Sequence, residues 1–141
     1  MNTLLPNEFY KQAVRGVCFR YRPVSKDTDQ DFYQYLERNY RECLDDLNNA
    51  TDDVAVTGTK DGVFVFAAGL LAYGRSETVF DILNNIPSSG EVRRLASVVT
   101  ALMPIPESLD VFNDTVKVVE WLEQNLARLS WNPALGKYEL P

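Results

Sequence analysis

Val54-Ala55-Val56-Thr57-Gly58-Thr59-Lys60-Asp61-Gly62-Val63-Phe64-Val65-Phe66-Ala67-Ala68-Gly69-Leu70-Leu71-Ala72-Tyr73 is the stretch whose reading decides the fold. Two conformations compete for it. Val54-Ala55-Val56 and Val63-Phe64-Val65-Phe66 flank a segment containing Gly58 and Gly62, as two strands of a β-hairpin would. Yet Val63 continues unbroken through Ala67-Ala68-Gly69-Leu70-Leu71-Ala72-Tyr73, and an apolar run of that length suits a buried helix. Run length favours the helix, which makes the chain all-α; the hairpin near 54–66 would make it α+β. Gly74 then reads as a helix terminator in the left-handed conformation, and Ser76 as the next N-cap.

Upstream, Tyr10, Ala13, Val14, Val17, Cys18 and Tyr21 fall on one helical face after a Pro6-Asn7 start, and Pro23 stops the helix. Thr28 and Asp31 match a capping box. Behind them, Phe32, Tyr35, Leu36, Tyr40, Cys43, Leu44 and Leu47 trace a helix over about 29–48, with Glu37–Arg41 and Arg38–Glu42 as i,i+4 pairs on the opposite face.

Downstream, Val79, Phe80, Ile82, Leu83 and Ile86 form a short helix ended by Pro87. Ser88 and Glu91 make a second capping box, before the stripe Val92, Leu95, Ala96, Val99, Leu102 and Met103. Pro104 and Pro106 break the chain. A last helix places Phe112, Val119, Leu122, Leu126 and Leu129 at heptad positions, with Thr115 out of type. Residues 131–141 read as a docked, non-helical tail, able to cover Trp121 and Trp131. The expectation is one helical domain over 1–141: a compact bundle or short solenoid of five to six antiparallel helices.

None of the 141 residues is a histidine. That removes Ser-His-Asp and Cys-His nucleophile systems and the usual catalytic zinc sites. No catalytic residues, cofactor or metal are assigned, and binding is expected in place of catalysis. Asp27, Asp29 and Asp31 open like a calcium loop, but Phe32 and Arg38 stand where glycine and a bidentate glutamate are required. Lys60 between Gly58 and Gly62 lacks the phosphate-loop spacing. Paired carboxylates such as Glu120 with Glu123 lie on a polar helix face, and nothing selects any such pair for catalysis. Cys18 and Cys43 sit at apolar helical positions, as small buried thiols do. The N-terminal residues lack the basic start and apolar run of a secretory signal, and the longest apolar stretch is far short of a membrane span, so a cytoplasmic location is expected.

The net charge of −6 is uneven. Residues 1–22 carry four basic side chains against Glu8 alone, and the remainder carry ten basic against nineteen acidic. An acidic chain argues against direct nucleic-acid binding, where phosphate neutralisation supplies most of the affinity. Glu42, Asp45, Asp46, Asp52 and Asp53 cluster where one helix ends and the next begins. Carboxylates near a helix C-terminus oppose the macrodipole, so helix stability does not explain them. They are the candidate surface for a basic protein partner, in the manner of an inhibitor, an immunity-type antidote or an adaptor. Arg15, Arg20 and Arg22, interleaved with Phe19 and Tyr21, are the second candidate surface, with pairing to the chain's own acids as the simpler account. The alternative is a small-molecule site in an apolar cavity lined by Phe64, Phe66, Tyr73 and Phe80.

Overall fold

The computed structural model describes residues 4–21 and 29–141, and the side chains among them except those of 19–21 and 53–55. The capping residue Thr28, together with Pro23 and Asp27, lies outside the described residues. Six α-helices appear among the described residues: α1 (Pro6–Tyr21), α2 (Asp29–Asn49), α3 (Asp53–Leu71), α4 (Val79–Asn84), α5 (Val98–Leu102) and α6 (Thr115–Asn125). The deciding stretch is therefore helical. Its first turn closes with Val56 N–H on Asp52 O at 3.0 Å. Val63–Leu71 is buried almost throughout, and a helix satisfies the backbone of such a segment within itself.

Central α3 packs against α1, α2 and α4. From α1 come Tyr10, Val14 and Cys18, and from α2 Phe32, Leu36 and Tyr40, each set spaced by four residues along one face. Gly69 is where three helices meet. A Cβ there would lie 2.9 Å from Leu36 Cδ1 and 3.0 Å from Val14 Cγ1, so glycine sets the closeness of the crossing. The helix ends as expected. Gly74 has φ of 100°, and Arg75 N–H and Gly74 N–H bond to Leu70 O and Leu71 O, both at 3.1 Å. That is the Schellman pattern.

Three local expectations are corrected. Ser76 is no N-cap: it begins a 3₁₀ segment (Ser76–Thr78) after Arg75, without a side-chain capping bond. The Ser88–Glu91 capping box does not form either. The chain turns at Gly90, with φ of 94°, into a second 3₁₀ segment (Glu91–Ser97) that runs into α5. Leu95 and Ala96 of the 3₁₀ segment and Val98, Val99 and Leu102 of α5 are all buried, so the apolar stripe stays inward as three residues per turn give way to α winding.

The last helix is shorter than its heptads imply, and its seam is rotated. Asp110 Oδ1 accepts Phe112 N–H at 2.7 Å and Asn113 N–H at 3.2 Å, holding 110–113 as a turn ahead of α6. Val111, Val118 and Leu122 are buried, while Phe112 is 39% exposed. The Arg93 guanidinium lies 4.3 Å from the Phe112 ring centre. After a third 3₁₀ segment (Leu126–Arg128) the tail docks without helix, as expected, but as a small antiparallel ladder of β1 (Ser130–Asn132) and β2 (Lys137–Glu139), with Trp131 opposite Tyr138. Tyr138 is buried, and its hydroxyl donates to Leu71 O at 2.7 Å, fixing the tail to the end of α3. Trp131 is half-buried against Tyr138 and Gly74, and Trp121 is half-buried on α6.

Candidate functional site

Helices α2 and α3 form a hairpin joined by the short link 50–52. Its root is core: Phe32, Leu36 and Tyr40 face Val63–Leu71. Its far end differs. From Arg41 to Gly62 no described side chain is buried. At 1.5 Å per residue, the nine residues of α2 beyond Tyr40 extend roughly 13 Å past the last buried position of that helix. Cys43, Leu44 and Leu47 are half-buried along this projection and pack against the core cluster.

All the described acidic side chains of the proposed surface lie on this projection, with Glu42, Asp45, Asp46 and Asp52 exposed. The side chain of Asp53 lies outside the described residues. Between Glu42 and Thr59 there are five acids and no base. Their origins differ. Asp52 precedes α3 and Asp53 is its first residue, where the positive helix end favours a carboxylate. Local stability accounts for those two. Glu42, Asp45 and Asp46 instead approach the C-terminus of α2, whose last turn has no basic residue. Their charge acts on the helix itself: burial chiefly, then Asp46 and Glu42, pushes the Cys43 thiol up from its ordinary value. Nearer the root, Arg41 is taken by Glu37 at 2.7 Å, as the i,i+4 reading expects. Arg75 ties Glu37 to Glu77 across the hairpin's side.

The arginine surface is only partly within view. Arg15 lies with its guanidinium 4.9 Å from the Phe32 ring centre, on the chain's own aromatic. The side chains of Phe19, Arg20 and Tyr21, and Arg22 as a whole, lie outside the described residues.

Of the residues expected around an apolar cavity, Phe66 lines a surface groove, and Phe64, Tyr73 and Phe80 do not. Phe64 is fully buried in the core, and Tyr73 points to Asp29, donating its hydroxyl to Oδ1 at 2.8 Å. Phe80 is half-buried against the core. The groove, of about 670 Å³, instead opens between the end of α1, the exposed half of α3 and the segment 87–92. Cys18 lies in its wall, 4% exposed. Burial pushes that thiol up to about 11, partly offset by a hydrogen bond from Tyr35. Such a shift keeps the thiol protonated at neutral pH.

Sequence reasoning missed this groove because its walls come from four separate stretches. One signal was present: Gly58 and Gly62 recur at i,i+4 within an otherwise helical pattern. Both are helical in the structure, which also ends the phosphate-loop reading of Lys60. No group of three or more metal-ligating side chains converges among the described residues, and Asp29 of the calcium-like run is engaged by Tyr73 and by Lys11 at 3.6 Å. No helix among the described residues is long and apolar enough to cross a membrane. Comparison with protein-family models, with curated proteins and with solved structures finds no match for the chain.

Proposed function

We propose that the protein is a non-catalytic interaction module whose acidic α2–α3 projection engages a basic surface on a protein partner. One observation carries the reading. The hairpin extends past the core from Arg41 to Gly62 with no buried described side chain, and from Glu42 to Thr59 it bears five acids and no base. A helical projection that lends the core only half-buried side chains, and whose α2 carboxylates oppose their own helix dipole, has its rationale in what it meets outside the fold. A basic partner would be steered by long-range attraction and then docked on the tip. An inhibitor, an antidote or an adaptor would work in this way, by occupying a basic functional surface.

The test is capture from the native host at low salt with three immobilised proteins: the unaltered chain, Asp45→Lys with Asp46→Lys, and Glu120→Lys with Glu123→Lys. Both double variants change net charge equally, and Glu120 and Glu123 are exposed on α6, away from the projection in sequence. The reading expects a basic protein held by the unaltered chain and the α6 variant and lost from the tip variant. Its association rate should also fall towards 1 M salt, where the screening length is about 3 Å. Equal retention by all three, or equal loss from both variants, removes the tip from the mechanism.

A further inference from the structure

Beside the inner stripe of α1, formed by Tyr10, Val14 and Cys18, runs a second at the same spacing of four: Phe9, Ala13 and Val17. One apolar stripe is enough to seat a helix on a core. The second faces the 3₁₀ segment Glu91–Ser97 across a groove of about 380 Å³, with Val92 and Leu95 opposite. That volume falls in the range of sites that hold small organic ligands. Phe9 is 56% exposed, and its ring stands edge-on to Tyr10 with centres 5.1 Å apart, so an apolar aromatic face is open to the groove's mouth.

The polar groups of the groove decide the sign of its ligand. On the floor, the Tyr10 hydroxyl and Ser97 Oγ satisfy each other at 2.6 Å, and Ser97 donates in turn to Arg94 O at 2.8 Å. Glu91, at the far end, already has a partner. Arg93, just outside the lining, is committed to Pro87 O at 2.8 Å and to the Phe112 ring. Arg94 differs from all of these. Its side chain is exposed on the rim, and among the described residues it has no hydrogen-bond or ion-pair partner. The open charge of the described lining is therefore a guanidinium, whose planar fork matches a carboxylate. An apolar slot with one uncommitted guanidinium at its edge is complementary to a ligand that is apolar at one end and anionic at the other.

We propose that this groove binds a small organic carboxylate at its Phe9 end, with an apolar or aromatic body against Phe9, Ala13 and Leu95 and the carboxylate on Arg94. The site is independent of the acidic projection's contact with a protein, and either can fail without the other.

Three probes sharing one body separate the contributions: 4-phenylbutyrate, 4-phenylbutanol and 4-phenylbutylamine, each titrated into the full chain and followed by backbone amide NMR. The carboxylate should shift the amides of Phe9, Ala13, Arg94 and Leu95 saturably. Its dissociation constant should be about fivefold below that of the alcohol, equivalent to about 1 kcal/mol. The amine should bind weakest. Arg94→Gln should bring the carboxylate to the alcohol's affinity, whereas Lys117→Gln, an equal loss of charge on exposed α6, should leave the preference intact. Phe9→Ala should weaken all three probes alike with the circular dichroism spectrum unchanged. Absence of saturable shifts with any probe would overturn the proposal, as would equal affinities for carboxylate and amine. So would a carboxylate preference that survives Arg94→Gln or is lost equally in Lys117→Gln, or undiminished binding to the Phe9→Ala protein.

Discussion

Replacing Tyr138 by phenylalanine should destabilise the protein at neutral pH and stabilise it in strong alkali. The ring is 3% exposed, and its hydroxyl donates to Leu71 O at 2.7 Å. Phenylalanine keeps the packing against Trp131 and loses the hydrogen bond. Leu71 O keeps a second donor, Gly74 N–H at 3.1 Å, so no carbonyl is orphaned and the loss at pH 7 should be about 1 kcal/mol, within a range of about 0.5–1.5. Burial, with the charge of Glu77 adding to it, holds the Tyr138 phenol far above its ordinary pKa of 10.0. The folded state therefore keeps the proton that the unfolded chain releases. That contribution is complete below pH 10 and drains away as pH rises above it. By linkage the unfolded wild-type chain gains about 0.4 kcal/mol at pH 10 and about 1.4 kcal/mol at pH 11, and the phenylalanine variant escapes both. The two stabilities should cross between roughly pH 10 and 11. Tyr40, hydrogen-bonded to Asp81, and Tyr73, hydrogen-bonded to Asp29, are shifted in the same direction; both proteins share them, so they cancel in the difference. Urea unfolding followed by far-ultraviolet circular dichroism at pH 7, 9, 10 and 11 measures it. A deficit that stays constant or widens with pH would refute the burial of a protonated phenol at this position.

Two glycines of α3 should respond oppositely to alanine. Gly69→Ala forces a methyl to within 2.9–3.1 Å of Leu36 and Val14, and overpacking of about 1–3 kcal/mol should outweigh the helix gain of about 1 kcal/mol. Gly58→Ala meets nothing and should stabilise by up to about 1 kcal/mol; thermal unfolding that moves both variants the same way would contradict the packing described. Both thiols should resist alkylation in the native protein at pH 8, because burial raises each, and should react fully in denaturant. Rapid native labelling of Cys18 would show that the groove wall opens.

The length of the apolar run from Val63 to Tyr73 favoured a buried helix over a hairpin near 54–66, and Gly74 marked its end. Spacings of three and four likewise marked the inner faces of α1 and α2. These features depend on residues that are neighbours in sequence, and backbone geometry translates their order directly into a face. The acidic cluster was legible for the same reason, since charge is a property of composition. Its projection beyond the core was not, because exposure depends on where the rest of the chain ends. Ser76 and Ser88 had the chemistry of caps, but tertiary packing settled which residues turn inward, and 3₁₀ winding delivered them. Phe112 fitted a heptad that the Asp110 turn displaced by one residue, giving the seam to Val111 and Val118. The groove was the least accessible of all. Val17, Tyr35, Gly58 and Val92 come from stretches without local relation, and a cavity between them exists only once α1, α2, α3 and the 87–92 segment are set side by side. Local periodicity decides what each segment can bury, whereas the empty space between segments is decided by all of them packing at once.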